Sequence, residues 1–183
     1  MSTGRSNKLT GQIGEYLVCA ELGKLNLIAT PFAGNVPAFD VLAVDEFCRT
    51  IPIQVKTTRG DNWPTDARTW LNIEFDKNSK VQNNLGPAKI KNRDLIYVFV
   101  AIAGDEKRRD QFFILTKLQL QEVCIKSYSG WMNKHDWRRP RSPESYDCRF
   151  NISDIKQYEN NWPLISDRLK STSPARLLET TEE

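Results

Sequence analysis

A continuous apolar run, LIYVFVAIA from Leu95 to Ala103, constrains the fold of this chain more than any other feature. Its β-branched and aromatic residues favour a strand, and its lack of alternation is typical of a strand buried on both faces. A second strand, QFFILT, is predicted from Gln111 to Thr116 after a charged turn. A sheet covered on both sides needs other elements on each face, so we predict an α/β domain with a mixed central sheet flanked by helices.

The remaining patterns predict several further elements. They are a helix from Asn7 to Leu25, strands at 27–33, 38–44, 50–57 and 68–75, a helix from Lys117, and a strand then a helix within 149–165. The first helix has apolar residues on two sides, which predicts that it is mostly buried. The last helix is predicted to be capped by Ser153 and bent or ended by Pro163, whereas 60–66 is predicted as a loop. We expect one domain over residues 1–170 and a polar, acidic, disordered tail at 171–183.

The composition narrows the classes of function. The chain has 183 residues, 39% hydrophobic and 27% charged, which is typical of a soluble globular protein. It has neither the run of about 18 apolar residues that a membrane helix needs nor a signal-peptide core, so we expect no membrane association or secretion. Four widely spaced cysteines predict reduced thiols in a cytoplasmic compartment. A single histidine, His135, leaves any hydrolytic chemistry to carboxylates, amides and lysines.

Four polar residues stand out against apolar surroundings. Asp40 lies in the strand AFDVLAV, and Gln54 and Lys56 share one face of the next strand, TIPIQVKT. Because a hairpin can close the 14 residues between Asp40 and Gln54, we expect the three side chains to converge. Glu15 lies on an apolar stripe of the first helix, where a carboxylate needs a partner, and the neighbouring glycines Gly11 and Gly14 permit another element to pack closely.

Such a cluster is suited to metal-assisted hydrolysis of phosphodiesters. Hard cations such as Mg²⁺ prefer oxygen ligands, which Asp40, the Gln54 amide, the Val55 backbone carbonyl and Glu15 would supply. The cation would polarise the phosphate and activate a water molecule. Lys56 would orient that water and offset the charge that develops in the transition state.

The order GQIGE, FD and QVK resembles the PD-(D/E)XK nuclease superfamily, which has the restriction-endonuclease-like fold. The layout over residues 8–57 is similar to archaeal Holliday-junction resolvases, and a Gln-for-Glu version occurs in one class of homing endonucleases. The resemblance implies a metal-dependent DNA endonuclease, with Asp40 as metal aspartate, Gln54 at the second acidic position, Lys56 as the lysine and Glu15 as the helix glutamate. It also implies a homodimer.

This sequence departs from the family pattern in two ways. Phe39 stands where the motif name has proline. Gln54 brings no charge, so the site has two carboxylates rather than three, which predicts weaker metal binding or a preference for Mn²⁺.

Two segments are candidates for contact with DNA. One is Thr57, Thr58 and Arg59, directly after the catalytic strand. The other is a basic segment, GWMNKHDWRRPRSP (130–143), in which tryptophans alternate with Lys134, Arg138, Arg139 and Arg141. Two alternatives stay open. One alternative to a nuclease is a catalytically inactive nucleic-acid-binding protein of the same fold. The other is a regulatory interaction module in which Asp40 and Lys56 form a structural ion pair.

Overall fold

The computed structural model describes residues 4–32, 38–104 and 109–172. Its α-helices are α1 (Gly4–Lys24), α2 (Lys117–Asn133), α3 (Ile152–Ile155) and α4 (Pro163–Ser171). Its strands are β1 (Ile28–Pro31), β2 (Val41–Val44), β3 (Thr50–Thr58), β4 (Asn62–Asp66), β5 (Leu71–Asp76), β6 (Val81–Pro87), β7 (Ile96–Ala101), β8 (Gln111–Thr116) and β9 (Asp147–Asn151). Two short 3₁₀ turns cover Ala67–Thr69 and Lys156–Tyr158.

Five strands form the central sheet in the order β1-β2-β3-β7-β8. β1, β2 and β3 are a consecutive antiparallel meander, β3 and β7 are parallel, and β7 and β8 are antiparallel, so the sheet is mixed as predicted. The apolar run forms β7, where Val98, Phe99 and Val100 are all buried. Burial on both faces explains why this strand does not alternate.

The sheet has a hydrophobic core on each face. On one face, Val18 and Leu22 of α1 and Ile165 of α4 pack against Val55 and its neighbours in the sheet. On the other face, α2 and the β4–β9 ribbon pack against Phe99, Phe113 and Leu115 of the sheet. The predicted fold class, a mixed sheet flanked by helices, is therefore confirmed.

The first helix is less buried than its pattern predicted. Gly14, Val18 and Leu22 form one buried stripe, whereas Leu9, on the other predicted apolar stripe, is 54% exposed. The prediction of burial on two sides was wrong, because only one face of α1 lies on the sheet.

Three predictions of local structure were also wrong. The predicted loop at 60–66 contains β4, which pairs with β9 because Trp63 is buried in a stack on Phe150 with ring centroids 5.8 Å apart. In the C-terminal region, Asn151 rather than Ser153 is the N-cap of α3. Pro163 begins α4 rather than ending a helix, which suits its fixed φ and missing N–H.

The polar stretch 76–93, which was ambiguous in the sequence, contains β6, and β6 forms a separate hairpin with β5. None of the helices in 4–32, 38–104 and 109–172 is long and apolar enough to cross a membrane. α4 ends at Ser171, and residues 173–183 of the predicted tail lie outside the described residues.

Candidate active site

Asp40 is held against the middle of β3. It directly precedes β2, whose register pairs Val41 with Ile53, and its backbone N–H donates to the Ile53 carbonyl at 2.9 Å. Its carboxylate accepts hydrogen bonds from the Val55 backbone N–H at 2.8 Å and from the Gln54 side-chain amide. The β2–β3 hairpin therefore brings Asp40 and Gln54 together, as the 14-residue separation predicted.

The Gln54 amide faces Asp40 with its nitrogen, which donates to the carboxylate. To present its oxygen to a cation, the Gln54 amide must flip so that Oε1 and Nε2 exchange places. The flip changes the shape of the side chain very little, because the amide is planar and the two atoms are similar in size. The Val55 N–H points to the same carboxylate, and a strand residue directs its N–H and C=O to the same side. The Val55 carbonyl therefore projects towards the Asp40 side of β3.

Glu15 is brought to this site by an unusually close packing of α1 on β3. A Cβ atom on Gly14 would overlap the Thr57 hydroxyl and lie 2.9 Å from the Thr57 Cβ and Cγ2 atoms. The close approach that the glycines predicted thus occurs at Gly14, whereas a Cβ on Gly11 would meet nothing within 4 Å. Gly14 thereby places the next residue, Glu15, near Asp40. Asp40, Glu15 and Gln54 are together called the carboxylate centre.

Burial and neighbouring charges change the pKa of the Glu15 carboxyl group. Partial burial raises the pKa of the Glu15 carboxyl, the negative charge of Asp40 raises it further, and the positive charge of Lys56 lowers it by a smaller amount. The two carboxylates therefore repel each other in the protein alone. A cation between them would relieve that repulsion.

Lys56 is exposed and lies on the face of β3 that looks towards α2. Within the described part of the chain, no salt bridge of 4.0 Å or less joins it to Asp40. The structural ion pair that the third alternative required is therefore not formed between these two described residues.

The donors at this site fit a hard divalent cation. They are two carboxylates, one amide oxygen after rotation and one backbone carbonyl, which is the oxygen chemistry that Mg²⁺ and Mn²⁺ take. Across residues 4–32, 38–104 and 109–172, no cluster of three or more His, Cys, Asp or Glu side chains could hold a metal ion.

The residues at the C-terminal end of β3 differ in how far they are buried. The Thr57 hydroxyl is buried against Gly14 without a hydrogen-bond partner in the described structure, so it is not placed to contact DNA as predicted. Thr58 accepts a hydrogen bond from the Gly60 N–H at 3.1 Å. Arg59 is exposed, and its Nε donates to the Thr10 hydroxyl at 3.2 Å.

The basic segment lies away from the carboxylates. It follows the C-terminal end of α2, whose 17 residues place Lys134 about 25 Å along the helix from Lys117. Arg138 Nε donates to the Ser79 carbonyl at 3.2 Å, and Arg139 donates to the Asp147 carbonyl at 2.7 Å. Arg141 is exposed. The structure thus does not bring the basic segment and the carboxylate centre together in one cluster.

Sequence reasoning missed Tyr97. It pairs with Gln54 across β3 and β7, and burial together with the negative charge of Asp40 raises the pKa of its phenol. It carries the only side-chain hydroxyl in the apolar run, which was a usable signal. Its position became evident only once the parallel β3–β7 register was known.

No protein-family model matches the sequence, and no curated protein matches it significantly. The structure is similar to that of a bacterial homing endonuclease, I-Ssp6803I, with a TM-score of 0.53 over 91% of this chain and 97% of that chain, at 13% identity. It also matches Archaeoglobus fulgidus Hjc, a Holliday junction resolvase from an archaeal hyperthermophile, with a TM-score of 0.39 over 80% of this chain and 88% of that chain, at 11% identity.

The first similarity spans nearly the whole of both chains and concerns the fold. The chain therefore shares its α/β fold with that homing endonuclease, and the resemblance predicted from the sequence is confirmed at the level of the fold.

Proposed function

We propose that this protein is a metal-dependent DNA endonuclease that hydrolyses phosphodiester bonds. The observation that carries the proposal is the Asp40 carboxylate held by Gln54 and the Val55 N–H of the central strand β3, with Glu15 close enough for the charge of Asp40 to raise its pKa. Two acids that repel each other at partial burial destabilise the protein, and such pairs occur preferentially at functional sites.

The residues that would hold the cation are Asp40, Glu15, Gln54 through its Oε1 and Val55 through its carbonyl. Mg²⁺ or Mn²⁺ bound there would polarise a phosphate and lower the pKa of a water molecule. The backbone of β3 fixes Asp40 through the Val55 N–H, so this carboxylate is preorganised without loss of side-chain entropy during the reaction.

Lys56 is proposed to act on the substrate rather than on the cation. Its ammonium group is exposed, unpaired with Asp40 and on the same face of β3 as Gln54. From there it would orient the attacking water and offset the negative charge of the phosphorane-like transition state.

DNA would pass the end of β3 that carries Lys56 and extend along α2. Thr58 and Arg59 would contact phosphates near the cleaved bond, and Lys134, Arg138, Arg139 and Arg141 would contact phosphates at the far end of α2. From Lys117 to Lys134, α2 spans about 25 Å, which corresponds to about seven base pairs at 3.4 Å each. A homodimer would place one such site on each DNA strand. We expect the protein to act in the cytoplasm.

Cleavage of supercoiled plasmid tests this proposal. We expect wild type to nick or linearise plasmid with Mg²⁺ or Mn²⁺ and not with EDTA, and Asp40→Asn and Lys56→Gln to lose that activity. Asp167→Asn and Lys170→Gln are matched controls, because both residues are exposed on α4 on the opposite face of the sheet.

Other outcomes separate the alternatives. Equal cleavage by wild type and Asp40→Asn would exclude the assigned site. Salt-dependent DNA binding without cleavage of plasmid or branched DNA would favour the inactive nucleic-acid-binding protein. Absence of DNA binding would favour the regulatory module.

A further inference from the structure

A pocket of about 420 Å³ opens beside Lys56, on the α2 side of the sheet. Its walls include the aromatic residues Trp63, Trp70 and Tyr97, and its charged lining residues are Lys56 and Lys117. The volume is within the range of about 300–1,000 Å³ that is usual for small-ligand sites. None of the functions assigned above to the carboxylate centre uses this pocket.

The aromatic walls are fixed by the protein's own contacts. The Trp63 indole N–H donates to the Lys56 carbonyl at 3.1 Å, and the Trp70 indole N–H donates to the Thr65 hydroxyl at 2.9 Å. The Tyr97 ring stacks on Phe99 with centroids 6.0 Å apart and planes at 18°. Trp63 and Trp70 are almost fully buried, so the partly exposed ring of Tyr97 supplies the surface on which a flat aromatic ligand would stack.

The charged lining selects an anionic ligand. Among the described residues, Lys56 and Lys117 are the charged residues that line the pocket, and both are positive. Lys117 is also the first residue of α2, where the positive end of a 17-residue helix dipole adds to its charge. A ligand with an aromatic ring and attached phosphates would satisfy both the walls and the lysines.

The pocket adjoins the carboxylate centre. Lys56 lines it directly, and Tyr97 is the register partner of Gln54, which is hydrogen-bonded to Asp40. A nucleotide bound there would therefore belong to the DNA strand that passes the carboxylates.

We propose that this pocket takes a single unpaired nucleobase, with the adjoining phosphates held by Lys56 and Lys117. The protein would then prefer DNA in which one nucleotide has left the helical stack, because extrusion of a paired base costs energy that an unpaired base does not. This inference rests on the proposed function, since it assumes a DNA substrate.

Three duplexes test the pocket by binding alone, in EDTA, so that no cleavage is needed. One is fully matched, one carries a single bulged nucleotide, and one carries the same bulge without its base. Base–aromatic stacking of 1–3 kcal/mol corresponds to about 5- to 140-fold in affinity. We expect wild type to bind the bulged base tighter than the abasic bulge by a factor in that range.

Two variants assign the preference to the pocket. Tyr97→Leu is expected to reduce the ratio of the two bulge affinities to near one, and Lys117→Gln to weaken binding of the bulged base severalfold. Lys170→Gln, a lysine variant on the opposite face, is expected to leave both affinities unchanged. Thermal unfolding confirms that each variant is folded.

A second measurement does not depend on any variant. A bulged 2-aminopurine is expected to lose fluorescence on binding to wild type, because it stacks on the aromatic walls. Equal affinity for both bulges, or unchanged 2-aminopurine fluorescence, would overturn the pocket and leave the nuclease proposal intact. Lack of salt-dependent binding to all three duplexes would overturn both.

Discussion

The packing of α1 on β3 allows opposite effects to be predicted for two glycines in one helix. Gly11 and Gly14 both lie inside α1, so replacement of either by alanine gains about 1 kcal/mol of helix propensity. A methyl group at Gly11 would meet nothing within 4 Å, whereas at Gly14 it would overlap the Thr57 hydroxyl. Gly11→Ala should therefore stabilise the protein and Gly14→Ala should not.

The magnitude follows from the contacts. The atoms that the new Cβ would meet are on Thr57, a β-branched residue of the central sheet, so α1 must move rather than the neighbour. Overpacking of this kind costs about 1–3 kcal/mol, which makes Gly14→Ala less stable than Gly11→Ala by about that amount, since the propensity gain is common to both. For a chain of this size, the difference corresponds to about 2–12 °C in Tm.

Urea unfolding of both variants and wild type measures the difference. Thr57→Ala, which removes the overlapping hydroxyl and the Cγ2 atom, should restore part of the stability when it is combined with Gly14→Ala. Equal stability of the two single variants would refute the argument that close packing at Gly14 positions α1, and with it the placement of Glu15.

Three further predictions concern charge. The pKa of Glu15 is raised in the folded protein, so the stability associated with its neutral form is fully present below the ordinary pKa of 4.5 and is lost as pH rises through the folded-state pKa. In EDTA, Glu15→Gln should therefore be more stable than wild type at pH 7, by less than about 1 kcal/mol. Below pH 4 the variant should have no such advantage. Thermal melts across pH check this, and an advantage that grows as pH falls would contradict it. Gln54→Glu should lower Tm in EDTA through repulsion with Asp40 and raise it with Mn²⁺; a loss under both conditions would exclude a metal ligand at this position. Arg141→Gln should reduce the slope of log K against log salt concentration for DNA binding by about one, and an unchanged slope would remove Arg141 from the interface.

The sequence predicted the parts of the site that depend on local geometry. Alternation placed Gln54 and Lys56 on one face, and the short connection between two strands placed Asp40 opposite Gln54. The uninterrupted apolar run likewise predicted a strand covered on both sides, because few other structures bury nine consecutive apolar residues in a small domain.

Contacts between distant segments could not be predicted in the same way. β4 is a strand because it pairs with β9, which is some 80 residues later, and its local sequence with Asp, Pro and Asn favours a loop. The exposure of Leu9 depends on which face of α1 meets the sheet. Similarly, the pocket beside Lys56 combines residues from β3, β4, β7 and α2 that no periodic pattern connects.

Titration of the metal-free protein with Mn²⁺ tests the central claim most directly, namely that Asp40, Glu15 and Gln54 form one cation site. By calorimetry we expect one Mn²⁺ per chain for wild type, loss of that binding in Asp40→Asn, and tighter binding in Gln54→Glu. Asp167→Asn should bind as wild type does. Mn²⁺ binding of equal affinity and stoichiometry in wild type and Asp40→Asn would contradict the account.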